Sequence, residues 1–401
     1  MSKLTRLFGS WVHLPGVLIL FIAAHFGHHV LAALLTPLLP FIRDEFNLDY
    51  TQAGILTSAF WFIYGVSHLP AGWLGDRIGR QIMAAIGISG LAFFGILVGL
   101  STNYIMLLIF LALMGIAGGG YHPAAAPLIS AATEPKSRGT ALGLHQGGGN
   151  VSFFLGPLIA VGLASFLGWR GSFISTAVVF LFFGIVFYLL LRRISPAEKT
   201  ENEHSPVITG TTGLSAPKLH LIAFILLGIT NQAVIISVSN FVSLFAVDYH
   251  GVSKEIGGTM LSWYFFAGIW SPVLGGYLSD RIGKIPTLLI PCLLAGPFIY
   301  LTSLVSYGWT FWLMLVALGM VQNMIMPVTE SYVITHAPEQ RRSLFLGVYY
   351  FGSRGGSGII TPFLGFLIDS FGFYIAFSAM GGLMLTITLI CTAMLLFNIR
   401  R

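Results

Sequence analysis

The nine residues Gly72-Trp73-Leu74-Gly75-Asp76-Arg77-Ile78-Gly79-Arg80 return 204 positions later as Gly276-Tyr277-Leu278-Ser279-Asp280-Arg281-Ile282-Gly283-Lys284. Each copy is a brief polar gap between two long apolar runs. Each pairs an Asp with an Arg and is flanked by glycines suited to a tight turn. The offset is about half of the 401-residue chain, which points to an internal duplication. The register reaches beyond the two stretches: Asp44 falls on Asp248, Gly54 on Gly258, Pro123 on Pro327, Arg138 on Arg342 and Gly143 on Gly347. A chance Gly-Asp-Arg turn accounts poorly for two copies in matching contexts.

Composition sets the class. Hydrophobic residues make up 56% of the chain and charged residues 8%, against roughly 25% charged in soluble domains. A mean hydropathy of +0.85 indicates a polytopic membrane protein. Apolar runs long enough to cross a bilayer are expected as helices over 14–42, 50–71, 82–101, 104–132, 139–167 and 171–192. The second half repeats them over 219–247, 256–275, 286–306, 309–337, 342–369 and 372–397. Residues 1–192 and 219–401 then form two bundles, and 193–218, rich in Glu, Thr, Gly, Ser and Pro, reads as a cytoplasmic linker. Of the 20 Lys and Arg, sixteen fall on one side of such an arrangement, Arg43, Arg170 and Lys254 on the other, and Arg354 within the membrane. By the positive-inside rule the crowded side is cytoplasmic, with both termini there, as in a multi-pass protein of the bacterial inner membrane. The formal charge of +6 therefore reports topology in a lipid bilayer, and no nucleic-acid partner is expected. The first apolar run is too long for a signal-peptide core and reads as a retained helix. Cys292 and Cys391 lie inside apolar runs, so neither a disulfide nor a cysteine metal site is expected.

A duplicated Gly-x-x-x-Asp-Arg loop between membrane helices resembles the signature of the major facilitator superfamily of secondary transporters. The resemblance implies an all-α polytopic fold of twelve transmembrane helices in two pseudo-symmetric six-helix bundles. It places the site at the midplane between the halves, lined by helices 1, 4, 7 and 10, with rocking that alternates access. It also makes Gly72, Asp76, Arg77, Gly79 and Arg80, with Gly276, Asp280, Arg281, Gly283 and Lys284, a cytoplasmic gate. In such a gate Asp76 faces the N-terminus of helix 11 and Asp280 that of helix 5, each interaction contributing about 0.3–2 kcal/mol. The alternative is a carboxylate that only bonds its own turn. In helix 5, Gly143, Ser152, Gly156, Pro157 and Ala160 approximate the Gly-Pro signature of the superfamily's antiporters, or represent ordinary close packing. Tyr121-His122-Pro123, together with Gln146-Gly147-Gly148-Gly149-Asn150, resembles the fosmidomycin-resistance branch over roughly 50 residues. The run Phe110 to Gly115 lacks the buried Arg of the drug/proton antiporters, so their coupling scheme does not carry over.

Few residues in the apolar runs carry chemistry. His25, His28 and His29 share one helical face, and His28 meets Gln232 under the repeat. Imidazoles titrate near physiological pH and suit proton coupling or anion contact. A metal is the weaker reading, because no contiguous ligand spacing accompanies them, and none is expected. Glu330 and Arg354 are the two formal charges within the spans. Burying a charge there costs roughly 2.5–3.5 kcal/mol on insertion scales, so function is the default reading and a mutual ion pair the rival. Arg354 suits an anionic or zwitterionic small molecule, with hydrogen bonds from His122, Gln146, Asn150 and Gln232. Trp263, Tyr264, Tyr349 and Tyr350 are weaker cavity candidates.

These features point to a monomeric proton-coupled exporter of small drugs or anionic metabolites, without a cofactor beyond the proton gradient. An importer of an organic anion is the alternative, and a receptor or scaffold a more distant one. An ATP-driven pump or membrane enzyme is disfavoured. Gly283-Lys284 is followed by Ile285 rather than Ser or Thr, and the glycine triplets 118–120 and 147–149 lie inside predicted helices.

Overall fold

The computed structural model describes residues 16–134, 137–194, 218–338 and 342–397. Both termini and 195–217, most of the predicted linker, lie outside the described residues. The fold is all-α. Helix α1 runs in two pieces, Gly16–Ala32 and Leu35–Phe46; α2 is Tyr50–Ile78, α3 Arg80–Gly99, and α4 the pair Tyr104–Gly118 and Tyr121–Ala131. Helices α5 (138–167) and α6 (169–194) part at Gly168, whose φ is 68°. The second half gives α7 in two pieces, Lys218–Asn240 and Val242–His250, then α8 Lys254–Ile282, α9 Lys284–Thr302 and α10 Trp309–His336. It ends with α11 (342–371) and α12 (373–397), parted at Gly372 with φ 77°.

Eight stretches are long and apolar enough to cross a bilayer, two of them being the α5–α6 and α11–α12 pairs. Helices α2 and α8, of 29 residues each, complete twelve among the described residues. They are less apolar because part of their surface presses on the other half, α2 on α11 and α8 on α5. Phe166 (88% exposed) and Ile359 (70% exposed) belong to the surface that lipid covers.

The duplication is visible in the backbone. Asn47 and Gly251 end helices with φ of 52° and 67°, Gly79 and Gly283 with 101° and 92°, and Gly168 and Gly372 join helices with 68° and 77°. Each pair is 204 residues apart. So are the N-caps Asp49, which accepts from Gln52 N, and Ser253, which accepts from Ile256 N. Gly54 and Gly258, another such pair, both sit where the halves touch. A Cβ at Gly54 would lie 3.0 Å from the backbone of Thr361 and Pro362, and one at Gly258 2.7 Å from the Pro37 carbonyl.

One expectation needs correction. The stretches Gly72–Arg80 and Gly276–Lys284 are not mostly turn: α2 continues to Ile78 and α8 to Ile282, and only Gly79 and Gly283 leave the helix. The extra turns are held by i,i+4 contacts. The Arg77 guanidinium lies 3.7 Å from the Trp73 ring centroid and that of Arg281 4.8 Å from the Tyr277 centroid, a cation–π arrangement suited to a membrane surface. The end of the molecule carrying Gly79 and Gly283 is called the motif end below, and the opposite end the latch end.

Candidate functional site

Six imidazoles gather in the first half. Helix α1 supplies His25, His28 and His29, all buried; α2 adds His68, α4 His122 and α5 His145. The His25 ring stacks on His145 with centroids 4.0 Å apart and stands 4.6 Å from His29 and 5.0 Å from His122. His29 and His122 are 5.2 Å apart, and His68 stacks on His122 at 5.8 Å. The hydrogen bonds fix protons. His25 Nδ1–H donates to the His145 carbonyl at 2.7 Å and His68 Nδ1–H to the Tyr64 carbonyl at 2.7 Å. A carbonyl only accepts, so in both rings Nε2 keeps its lone pair when the ring is neutral. His28 Nε2 is 3.0 Å from Tyr64 Oη, and Tyr121 Oη donates to the Phe21 carbonyl at 3.0 Å. Three buried ring nitrogens, His25 Nε2, His28 Nδ1 and His29 Nδ1, have no hydrogen-bond partner. Sequence spacing speaks against a metal, but the fold sets ligand atoms of His25, His29 and His122 within 4.8 Å of one another.

The glycine run of α5 makes room for this cluster. The place of a Gly149 Cβ is taken by the His25 ring, and Gly148 packs on Ile22 of α1, whereas Gly147 faces open space. Gly149→Ala is expected to displace His25 and destabilise the protein by about 1–3 kcal/mol. Gly147→Ala is expected to be neutral or stabilising by up to about 1 kcal/mol. Thermal unfolding of the two variants in detergent checks the contrast. Further along α5, a Cβ at Gly156 would stand 2.9 Å from Ala33 Cβ, Pro157 is buried, and Ser152 Oγ bonds the Gly149 carbonyl. The Gly156 contact is close packing against α1 and the Ser152 bond lies within α5, while Gly143 faces open space.

Arg354 stands at the boundary between the halves. Its guanidinium is 5.6 Å from the Trp61 ring centroid, and its Cβ would be 3.3 Å from a Cβ at Gly65, both on α2. His29 and His68 of the first half and Tyr264 and Tyr349 of the second lie within electrostatic reach of it. The side chain is exposed and, among the described residues, makes no ion pair. Glu330 does not pair with it; it accepts from Tyr350 Oη at 2.8 Å. His25 and His122 lie nine residues from the motif end of their helices and Arg354 twelve. At about 1.5 Å per residue that is roughly 13–18 Å deep, near the middle of a hydrocarbon core about 30 Å thick. The amides expected around Arg354 divide. Asn150 Nδ2 donates across the halves to the Gly268 carbonyl at 3.3 Å, and Gln146 is exposed. Gln232 is buried and spent on Gln322, its Nε2 donating to the Gln322 carbonyl at 3.0 Å and its Oε1 accepting from Gln322 Nε2 at 3.0 Å.

The two ends differ. At the latch end Arg43 of α1 pairs with Asp44 and with Asp248 of α7, Tyr50 Oη donates to Asp248 at 2.8 Å, and Lys254 of α8 pairs with Asp44 at 2.5 Å. Asp369 of α11 accepts from the Tyr50 and Thr51 amides at 2.9 and 2.8 Å, so it caps α2 from the other half. The contact continues inward through Gly358 on Phe62 and through the stacked pair Phe153–Phe265, 5.2 Å apart. Nearer the motif end, a Cβ at Gly139, Gly143, Gly147, Gly276 or Gly347 would meet nothing within 4 Å among the described residues. Asp76 is exposed and bonds only Arg80, at 3.3 Å; Asp280 makes no hydrogen bond or ion pair among the described residues. Gly72 nears Pro123 of its own half, and Lys284 Nζ donates to the Ser331 carbonyl at 2.9 Å and to Thr335 Oγ1 at 2.7 Å. Among the described residues, Asp76 makes no hydrogen bond or ion pair to α11 and Asp280 none to α5. The latch escaped the sequence reading. Its signals were the duplicated Asp44/Asp248 pair and the carboxylates at the ends of apolar runs.

The family model described as Major Facilitator Superfamily matches residues 21–253 and 221–401. This chain belongs to the major facilitator superfamily. Similar superfamily relatives include Multidrug resistance protein MdtG of Salmonella arizonae and of Salmonella typhimurium, each 26% identical over 370 residues, covering 88% of this chain and 89% of the relative. Among solved structures, the fold is similar to a bacterial homologue of the human lysosomal transporter Spinster in an inward-facing, unoccupied conformation (TM-score 0.77, 17% identity, 98% of this chain and 97% of the other). It is also similar to a POT family transporter in complex with 5-aminolevulinic acid (TM-score 0.78, 16% identity, 95% and 96%). As a superfamily transporter the protein is an integral membrane protein that handles small molecules and is not an enzyme. In superfamily terms the latch ties the halves together at one face, as in one of the two states that alternating access requires.

Proposed function

We propose that this protein is a proton-coupled secondary transporter that exports small drugs or anionic metabolites, phosphonates of the fosmidomycin type among them. One observation carries the reading: Arg354, a permanent cation at mid-membrane depth, lies between the halves and has no carboxylate partner among the described residues. A guanidinium at that depth draws an anion, and its planar fork suits a carboxylate or phosphonate. The multidrug resistance relatives support export. Glu330 and the imidazole cluster are the groups able to carry the proton. The motif end is the cytoplasmic one, so the state described here loads substrate from the cytoplasm. Asp76 and Asp280 then form the gate only after the latch opens and α11 and α5 close on them.

Expression in an efflux-deficient bacterium is expected to raise resistance to fosmidomycin or another small anionic drug, and an uncoupler is expected to remove that resistance. Accumulation of an organic anion inside the cells would instead make the protein an importer, and an unchanged toxicity panel would overturn the export reading. Orientation is testable separately. Cysteines placed at Ser205 and at Val252, the latter beside the α8 cap, are expected to label from opposite sides of the membrane. Labelling of both from the outside would reverse or end this topology.

A further inference from the structure

Where the sequence suggests no metal, we propose that His25, His29 and His122 form a binding site for a borderline transition-metal dication such as Zn2+, Co2+ or Ni2+. Three observations lead there. The ligand nitrogens of the three side chains lie within 4.8 Å of one another. Tetrahedral coordination at about 2.0–2.1 Å sets neighbouring nitrogens about 3.3 Å apart, so a bound ion needs to shorten these separations by at most about 1.5 Å. His122 is the partly exposed member of the three and, among the described residues, shows no hydrogen bond of its own.

The second observation is the state of the rings. His25 Nδ1–H is fixed on the His145 carbonyl, which aims the lone pair at Nε2, and that atom is buried without a partner. A ligand imidazole whose other nitrogen donates to a backbone carbonyl is the usual outer-shell arrangement of a metal site. His29 Nδ1 is likewise buried and unpartnered. Leaving the His25 acceptor unsatisfied is costly, and a metal held by one nitrogen of each ring satisfies it.

The third is chemical. Three neutral imidazoles without a carboxylate suit a borderline cation rather than Mg2+ or Ca2+, which take oxygen ligands. Three protein ligands leave a further coordination position open. Phe153 packs beside the site, its ring 4.6 Å from His29 and 6.3 Å from Trp61, over which Arg354 stands at 5.6 Å. The lone pair at each ligand nitrogen holds either the metal or a proton, so the ion and acid compete for the site.

Co2+ is the probe. Protein purified without a polyhistidine tag and titrated with Co2+ in detergent is expected to show visible ligand-field absorption that saturates at one ion per chain and is displaced by Zn2+. His122→Gln, at the partly exposed ring, is expected to weaken binding at least tenfold, and the His25→Gln/His122→Gln double variant to abolish the bands. Gel filtration of each variant confirms that it is folded, and His336→Gln, a ring bonded to the Tyr332 carbonyl on α10, serves as control. Arg354→Gln is expected to keep the bands whether or not it transports, which separates this site from the anion reading. Folded wild-type protein without the bands, or bands that persist in the double variant, would overturn the proposal.

Discussion

Arg354→Gln is expected to slow transport at least a hundredfold while the protein still inserts and runs as a single species on gel filtration. The charge-assisted bonds of a guanidinium to an anion are worth about 1.5–3 kcal/mol each, so losing a bidentate pair reaches two decades or more. Arg354→Lys keeps the charge and loses the fork, and a partial defect is expected, about tenfold. Transport of a fosmidomycin-type anion into everted vesicles, measured under an imposed pH gradient, distinguishes the three proteins. The ion-pair rival makes a separate forecast. If Arg354 served only to neutralise Glu330, removing both charges would restore transport. Glu330 is engaged by Tyr350 and Arg354 lies over Trp61, so Glu330→Gln/Arg354→Gln is expected to stay inactive. Normal transport by that double variant would make Arg354 structural.

Cutting the latch is expected to move the protein towards the opposite state. Asp369 caps α2 through two amides, a contact worth about 1 kcal/mol. The Arg43–Asp248 pair, with side chains 17% and 20% exposed, is worth about the same, because it is better shielded than a surface bridge. Losing both costs about 2 kcal/mol, a shift of roughly thirtyfold in the ratio of the two states. Asp248→Asn/Asp369→Asn, in a background with Cys292 and Cys391 replaced by alanine, is the variant to make. A cysteine placed at Ser58, on the closed part of α2, reports the change: an impermeant maleimide added at the latch side is expected to label it several times faster. Asp76→Asn is expected to shift the population the other way, because it removes a charge that acts only when the motif end is closed. An unaltered labelling rate in the latch variant would show that apolar contacts such as Phe62 on Gly358 hold the closure instead.

The sequence by itself determined the fold class, the helix count and the duplication. These follow from local quantities: the length of an apolar run, and residues such as Gly79 and Gly283 or Gly168 and Gly372 at positions that need positive φ. The 204-residue offset was legible because both halves use the same backbone punctuation. Local reading failed where helix and turn compete. The glycines at 72, 75 and 276 suggested turns, but Trp73–Arg77 and Tyr277–Arg281 contacts carry the helices on to Ile78 and Ile282. The site was legible only in part. Arg354 and the α1 histidines stand out because polar groups in apolar runs are costly. Tertiary structure alone decided what they meet, since rings from α1, α2, α4 and α5 converge through helix packing that no spacing encodes. It also decided that Glu330 engages Tyr350, that Gln232 is spent on Gln322, and that Arg43, Asp248 and Asp369 tie the halves together at one end. Each of these pairings joins residues on different helices, and hydropathy, being a property of one helix at a time, carries no record of them.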